Sequence, residues 1–462
     1  MKKYDIAVIG SGPAGEKAAL ESTAKGAKTI VIERGFKPGG ASVITGTIPS
    51  KSLRETVQYV CSICQPATMT GMEVNWSGKL TVRELMHRKQ LVVEERTGGI
   101  LQRYRDENID YLTGEGKFTS PHEIIVTEES SKTTTLSADK IIIAVGTHPY
   151  HPPGVDFNND TILDSDTILQ LDHIPESLVI IGGGVIGCEY AFIFAKIGTK
   201  VTLIDPRGSL LSFVDCEISS TLADILREEN ATLELGEEFV DIKAREDGTV
   251  QTTLKSGKTI VSDALLYANG RQGFADKLNL EACGLEMNSR NQLEVNNNFQ
   301  TAVPHIYAVG DIIGFPSLVS TSNEEGRRAA IHAVTGENVC RVGMDIPSAI
   351  YTIPEVAMIG PTEQELQSQN IPYQTGICFF KDLARGQIIG DCKGMLKLLF
   401  NPENYELIAV HIIGTSAAEL IHIGQTVLSF KGKITYFIDT VFNFPTLSLA
   451  YKVAARDGLS KI

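Results

Sequence analysis

Two glycine-rich turns constrain this chain more than any other feature: each is entered from an apolar run and each is followed, about twenty residues on, by a carboxylate. The first reads Ile6-Ala7-Val8-Ile9 and then Gly10-Ser11-Gly12-Pro13-Ala14-Gly15; a helix-like stretch follows, a second apolar run spans Thr29 to Ile32, and Glu33 closes it. The second reads Leu178 to Ile181, then Gly182-Gly183-Gly184-Val185-Ile186-Gly187, a helix-like stretch, Lys200 to Ile204, and Asp205. Strand, tight turn and helix in this order bring bare backbone against a pyrophosphate at a helix N-terminus, and the acid then accepts hydrogen bonds from ribose hydroxyls. Two such units imply two dinucleotides. One match would carry little weight in a chain with 42 glycines; the full context of both supplies it.

A length of 462 residues is compatible with roughly three domains, each able to bury its own core. The net charge of -14 argues against nucleic acid or an anionic membrane as partner. Lys2 and Lys3 precede an apolar run, but Gly10 breaks it too early for the core of a signal peptide, so a cytoplasmic location is expected. Leu178 to Ala195 is apolar enough to resemble a membrane span, yet it holds three consecutive glycines and Glu189. The eight cysteines are scattered, and Cys61 with Cys64 is a C-x-x-C without a second pair or a histidine at ligand spacing. Neither a disulfide framework nor a metal site is expected from them.

Ala138 to Val145 reads as a strand ending at Gly146-Thr147, and the breaker-rich His151-Pro152-Pro153-Gly154 places a domain boundary near residue 150. The second unit extends to the strand Ala264 to Ala268, ending in Asn269-Gly270-Arg271. Ile306-Tyr307-Ala308-Val309-Gly310-Asp311 is a further strand with a carboxylate at its C-terminal end, the end that faces the ligand crevice in open α/β sheets. The chain is therefore expected to return there to its first domain. From about residue 346 the pattern changes to short strands, Met395 to Phe400 and Leu407 to Ile413, with helices around Ala417 to Phe430 and Ser448 to Ala455. The expected fold is α/β: two Rossmann-like dinucleotide-binding domains, the first from residues 1–150 and 269–345 and the second from 151–268, plus an antiparallel α+β domain at 346–462.

Both nucleotide units, the Ala144-to-Thr147 and Ala308-to-Asp311 strand ends, and Tyr351-Thr352-Ile353-Pro354-Glu355-Val356-Ala357 follow in an order that resembles the pyridine nucleotide-disulfide oxidoreductases from end to end. That resemblance implies FAD in the first domain, NAD(P)H in the second and homodimerisation through the third. It also implies a redox disulfide within Gly39 to Lys51, where this chain carries Ser42 and Thr47 at the two cysteine positions. Alcohols form neither a disulfide nor a thiolate, so thiol exchange through this segment is chemically unavailable. The family's proton-shuttling histidine before Pro-Thr and glutamate after it are here Phe444-Pro445-Thr446 and Leu449, a coherent second loss. Cys61 and Cys64 would lie roughly 15–20 Å beyond the start of a helix beginning near Pro49, too far to substitute.

Within the family the chain is similar to the soluble pyridine nucleotide transhydrogenases in Gly46-Thr47-Ile48-Pro49-Ser50-Lys51, Gly314 to Leu318, Glu419 to Gln425 and Phe442 to Thr446. It departs from that branch at Ser42, Phe444 and Leu449, where a cysteine, a tyrosine and a glutamate are expected. By resemblance Lys51 and Glu189 pair near the flavin, Gly10, Gly12 and Gly15 take the flavin pyrophosphate, Glu33 the adenosine ribose, and Asp311 the ribityl or pyrophosphate region. Gly182, Gly184 and Gly187 take the phosphates of the exchanging nucleotide. Pro13, Ala14, Arg34, Gly146 and Gly270 complete the cofactor-binding candidates, and His422 reads as a packed interface residue. Asp205 favours NAD(H), whereas Arg207 could neutralise a 2′-phosphate, so both nucleotides are expected. The resulting reading is a homodimeric FAD enzyme exchanging hydride between nicotinamide nucleotides. A quinone or dye reductase and a redox-inactive nucleotide-binding subunit are the alternatives.

Overall fold

The computed structural model describes residues 2–63, 80–341, 343 and 346–462. Alternation along the first strand, Lys2–Ile9, sends side chains to two different cores, as period-two geometry requires. Ile6 and Val8 pack with Ala14, Ala18 and Ala19 of the helix Pro13–Ala24, while Ala7 and Ile9 pack with Phe118, Ile124 and Val126. The sheet runs Asp110–Thr113, Thr29–Glu33, Lys2–Ile9, Thr133–Ile143, Glu123–Thr127, Glu115–Ser120. Thr133–Ile143 divides its outer edge: Thr133 to Ser137 pair antiparallel with Glu123–Thr127, and Ile141 to Ile143 pair parallel with Ile306–Ala308. The expected return to the first sheet is thus present. The helix Val319–Thr335 then lies against Pro13–Ala24 so closely that a Cβ on Gly326 would stand 2.0 Å from the Ala14 carbonyl oxygen.

Between departure and return stands a five-stranded parallel sheet in the order Thr232–Leu235, Lys200–Asp205, Ser177–Ile181, Ala264–Tyr267, Ile162–Leu163. A three-stranded antiparallel sheet of residues 239–262 accompanies it. Every strand residue of Ala264–Tyr267 is buried, which explains its unbroken apolar run. The two chain crossings pair with each other as an antiparallel ribbon, Thr147–Pro149 against Arg271–Gly273.

The C-terminal part is a five-stranded antiparallel sheet, Ser348–Ile350, Glu355–Ile359, Leu407–Gly414, Met395–Phe400, Gln374–Phe379, with the helices Ala417–Ser429 and Leu449–Leu459 contributing to its core. The expected antiparallel α+β class holds. One lysine joins this part to the second sheet's lobe. Lys397, 1 % exposed, places its ammonium 3.1 Å from Asp215 Oδ1 and 3.1 Å from Glu217 Oε2, and against Glu363. A buried ammonium is tolerated only with such compensation. Cys61 lies near the end of the helix Thr47–Ile63, as expected, and Cys64 falls outside the described residues. Among the described residues no helix is long and apolar enough to cross a membrane.

Candidate active site

The helices Pro13–Ala24 and Val185–Lys196 start at Gly12 and Gly184 without a side-chain cap, so their first N–H groups stay open to an anion. The glycines of each turn do different things. A Cβ on Gly15 would lie 1.9 Å from the Gly10 carbonyl oxygen, and one on Gly187 would lie 1.8 Å from that of Gly182, so these residues let helix and turn touch. A Cβ on Gly12 would meet nothing nearer than Gly40 Cα at 3.8 Å, and one on Gly184 nothing within 4 Å. The protein itself does not need glycine at Gly12 or Gly184; the bare space above each helix start fits an approaching pyrophosphate.

The two acids, alike in sequence, differ in what they leave free. Glu33 accepts from Ser11 N at 2.9 Å and Ser11 Oγ at 2.5 Å through Oε2, and from Gly35 N at 2.8 Å through Oε1. One lone pair on Oε1 remains, and Glu33 lines the large cavity described below. Asp205 is fully buried. Its Oδ1 accepts from Arg207 N and Nε, both at 2.8 Å, and its Oδ2 from Arg207 Nη2 at 2.7 Å and from Gly183 N. Burial alone would raise its carboxyl, but the Arg207 and Gly183 donors outweigh it and hold the group below the usual carboxylate range. With all four acceptor positions filled, Asp205 has none to offer a ribose. The sequence expectation is altered here because Arg207, two residues on, folds back as a bidentate fork. Its own side chain stays 44 % exposed, with Nη1 donating to Ser212 Oγ at 3.2 Å.

A cavity of about 2160 Å³ runs between the lobes. Gly10, Gly12, Pro13, Ala14, Glu33, Arg34, Lys51, Gly146, Glu189 and Asp311 line it. Gly15 is buried under the turn, and Gly182, Gly184, Gly187, Asp205, Arg207 and Gly270 stand outside the lining. Arg34 lies over the Phe274 ring, 3.3 Å from its centroid, and Gly146 takes φ +67° at the strand end. Asp311 Oδ2 accepts from Thr147 Oγ1 at 3.3 Å; burial pushes its carboxyl up, against the opposing pull of Arg271 and the hydroxyls of Thr147 and Ser322.

Across the cavity Lys51 Nζ donates to Glu189 Oε1 at 2.8 Å and to Oε2 at 2.7 Å. The expected pair is therefore formed, from two different lobes. A third part of the chain joins it: Tyr351 N donates to Glu189 Oε1 at 2.9 Å, and Lys51 Nζ sits 5.0 Å from the Tyr351 ring centroid. Sequence reasoning missed Tyr351 because its hydrogen bond to Glu189 is made by a backbone N–H, which any residue carries, and its ring meets Lys51 only through the fold. It also missed Arg271, discussed below. Ser42 and Thr47 line the same cavity. His422 is exposed in the protomer, with Nδ1 2.8 Å from Gln425 Oε1, and also lines it. Phe444 is 69 % exposed, and Leu449 opens the helix Leu449–Leu459.

Two strand-turn-helix glycine turns on separate sheets, with an ion pair joining their lobes across a cavity lined by the first turn, have the architecture of a two-dinucleotide oxidoreductase. Residues 4–326 match the family described as pyridine nucleotide-disulphide oxidoreductase, and residues 346–455 match its dimerisation domain. The chain belongs to this family, whose members use FAD and NAD(P)H. It is 46 % identical to the soluble pyridine nucleotide transhydrogenase of Mycobacterium bovis (strain BCG / Pasteur 1173P2), covering 100 % of this chain and 98 % of that one. It is 44 % identical to that of Pectobacterium atrosepticum, covering 99 % and 98 %. The fold is shared with the HOCl-induced flavoprotein disulfide reductase RclA from Escherichia coli, solved as its Cu(II) complex, at TM-score 0.90 and 24 % identity over 99 % of each chain.

Proposed function

We propose that this protein is a homodimeric, FAD-dependent transhydrogenase that moves hydride between NADPH or NADH and NAD(P)+ through one pocket, without a redox disulfide. The observation that carries the reading is local: Ser42 and Thr47 occupy the cavity wall where family thiols are expected, while Lys51 and Glu189 remain paired beside them. Similarity across the full length to proteins named soluble pyridine nucleotide transhydrogenase supports it. We assign residues 1–150 and 269–345 to flavin binding, 151–268 to the exchanging nucleotide and 346–462 to dimerisation. The reading implies a cytoplasmic reaction, where both nicotinamide couples are dissolved substrates.

Bound FAD supplies a carrier that accepts and returns a hydride. The chain supplies position and charge. Gly10, Gly12 and Gly15 admit and orient one pyrophosphate at a helix start, and the free lone pair of Glu33 Oε1 is the acceptor for a ribose hydroxyl. Gly182, Gly184 and Gly187 do the same for the exchanging nucleotide. Lys51 and Glu189, tied to Tyr351, fix the wall against which a nicotinamide must lie flat for transfer. Glu189 carries no proton to the reaction, since a hydride exchange between nicotinamides needs no general acid. Arg207, rather than Asp205, presents donors to the adenosine end. Its charge is compensated by Asp205, so it can bind a 2′-phosphate through its outer edge without demanding one.

Incubation with NADPH and thio-NAD should give thio-NADH with parallel double-reciprocal lines, because one pocket holds donor and acceptor in turn. Negligible exchange together with rapid electron transfer to a quinone would replace this reading with a quinone reductase.

A further inference from the structure

Only two stretches of the described chain cross between the first and second sheets, and they pair as the ribbon Thr147–Pro149 with Arg271–Gly273. Arg271 belongs to this ribbon and spans it with its guanidinium. Nε donates to Thr147 Oγ1 at 2.9 Å and Nη2 to the Thr147 carbonyl oxygen at 2.9 Å. On the other side Nη1 donates to Ser165 Oγ at 3.1 Å and lies 3.4 Å from Asp166 Oδ1. Ser165 and Asp166 follow Ile162–Leu163, the edge strand of the second sheet. One planar side chain therefore holds both a flavin-lobe strand end and a nicotinamide-lobe edge.

The bonds continue inward. Thr147 Oγ1 accepts from Arg271, which turns its single proton toward Asp311 Oδ2, 3.3 Å away on the cavity wall. Asp311, Thr147, Arg271 and Ser165 form one line along the cavity wall that joins the two lobes. A lysine could reach one of these partners but not the whole set, because a point charge lacks the fork.

We propose that Arg271 is a positioning residue that sets the angle of the nicotinamide lobe against the flavin lobe and registers it to Asp311. The inference rests on the reading that a nicotinamide delivers hydride to FAD in this cavity. Reacting atoms must come within about 3–3.5 Å, and a displacement of about 1 Å can cost roughly 100-fold in rate, so a lobe angle matters even far from the ring. Arg271 itself lies on the cavity wall, but its three guanidinium nitrogens are already engaged by Thr147, Ser165 and Asp166, so affinity for the nucleotide is expected to rest mainly on other contacts.

The test uses flavin-loaded Arg271→Lys and Arg271→Met. Anaerobic stopped-flow reduction by NADPH should show the limiting rate lowered about 10-fold or more in both, with the NADPH dissociation constant changed by less than about 3-fold. Hydrogen exchange should speed up in residues 147–149 and 271–273 of both variants and stay unchanged in the strand Lys2–Ile9. A limiting rate equal to wild type, a loss recovered at saturating NADPH, or unchanged exchange in the ribbon overturns the proposal. Loss of FAD from Arg271→Lys would also overturn it, by assigning the residue to cofactor retention. If neither NADPH nor NADH reduces the wild-type flavin, the parent reading fails instead, and ribbon exchange alone then decides whether Arg271 sets the lobe angle.

Discussion

Replacing Asp205 by alanine separates two accounts of nucleotide choice. If its carboxylate met a ribose, the substitution would lower use of NADH and raise use of NADPH. The geometry argues otherwise, since the group is buried and accepts from Gly183 N and three Arg207 donors. Removing it orphans the Gly183 N–H inside the phosphate turn, and an unmet buried donor costs about 1–3 kcal/mol. A turn loosened by that amount lowers kcat/KM roughly 5- to 150-fold for both nucleotides. The released Arg207 regains its full charge, so NADPH suffers less than NADH and the NADPH/NADH ratio rises while both efficiencies fall. Arg207→Gln keeps one donor for Asp205 and should lower NADPH efficiency about 10-fold with NADH nearly unchanged. Steady-state kinetics with each nucleotide at fixed thio-NAD reads these changes. An Asp205→Ala enzyme that uses NADPH better than wild type in absolute terms would refute the reasoning.

The same pair gives a pH signature: the Asp205 carboxyl is held below its usual range, so its stabilisation is complete above the unfolded value near 3.9 and is lost as pH falls through the folded one. The stability gap between wild type and Asp205→Asn should therefore close in acid, as acid unfolding curves will report. Lys51→Met should destabilise more than Glu189→Gln in thermal unfolding of the flavin-loaded protein, because the stranded Glu189 is 5 % exposed and the stranded Lys51 is 24 % exposed. Lys397→Met leaves the fully buried Asp215 without its cation and should cost about 3–5 kcal/mol in chemical denaturation; a loss under about 1 kcal/mol would show that the junction does not depend on it. Anaerobic dithionite titration should take up about two electrons per flavin, without a long-wavelength thiolate-to-flavin band, and uptake of four would reveal a second redox centre.

What the sequence made legible was whatever depends on residues near one another in the chain. Both strand-turn-helix units, their closing acids and the strand at Ile306–Ala308 could be read because local spacing determines them. The Lys51 and Glu189 pair came from resemblance, and geometry then joined them across 138 positions. Three features stayed hidden. The Arg207 side chain could have faced solvent or Asp205, and only the turn between them decides. Tyr351 meets Glu189 through its backbone N–H, which has no sequence signature. Arg271 follows a glycine at a strand end like many turn residues, and its partners Thr147 and Ser165 stand more than a hundred positions away.

The split of the first sheet has a consequence for how the protein is made. Six of its strands lie before residue 144, but the seventh, Ile306–Ala308, and the helix Val319–Thr335 that covers Pro13–Ala24 emerge only after the whole second sheet. At synthesis rates of about 5–20 residues per second, the ribosome leaves the first sheet with an open edge and an uncovered helix for roughly 10–40 s. The inserted lobe, with its contiguous strands and its own core, can close during that delay. Asp311 and Glu325, two acidic residues of the cavity wall, arrive only with this late segment, so a nascent chain stalled before residue 306 should hold flavin weakly however well its first glycine turn is formed.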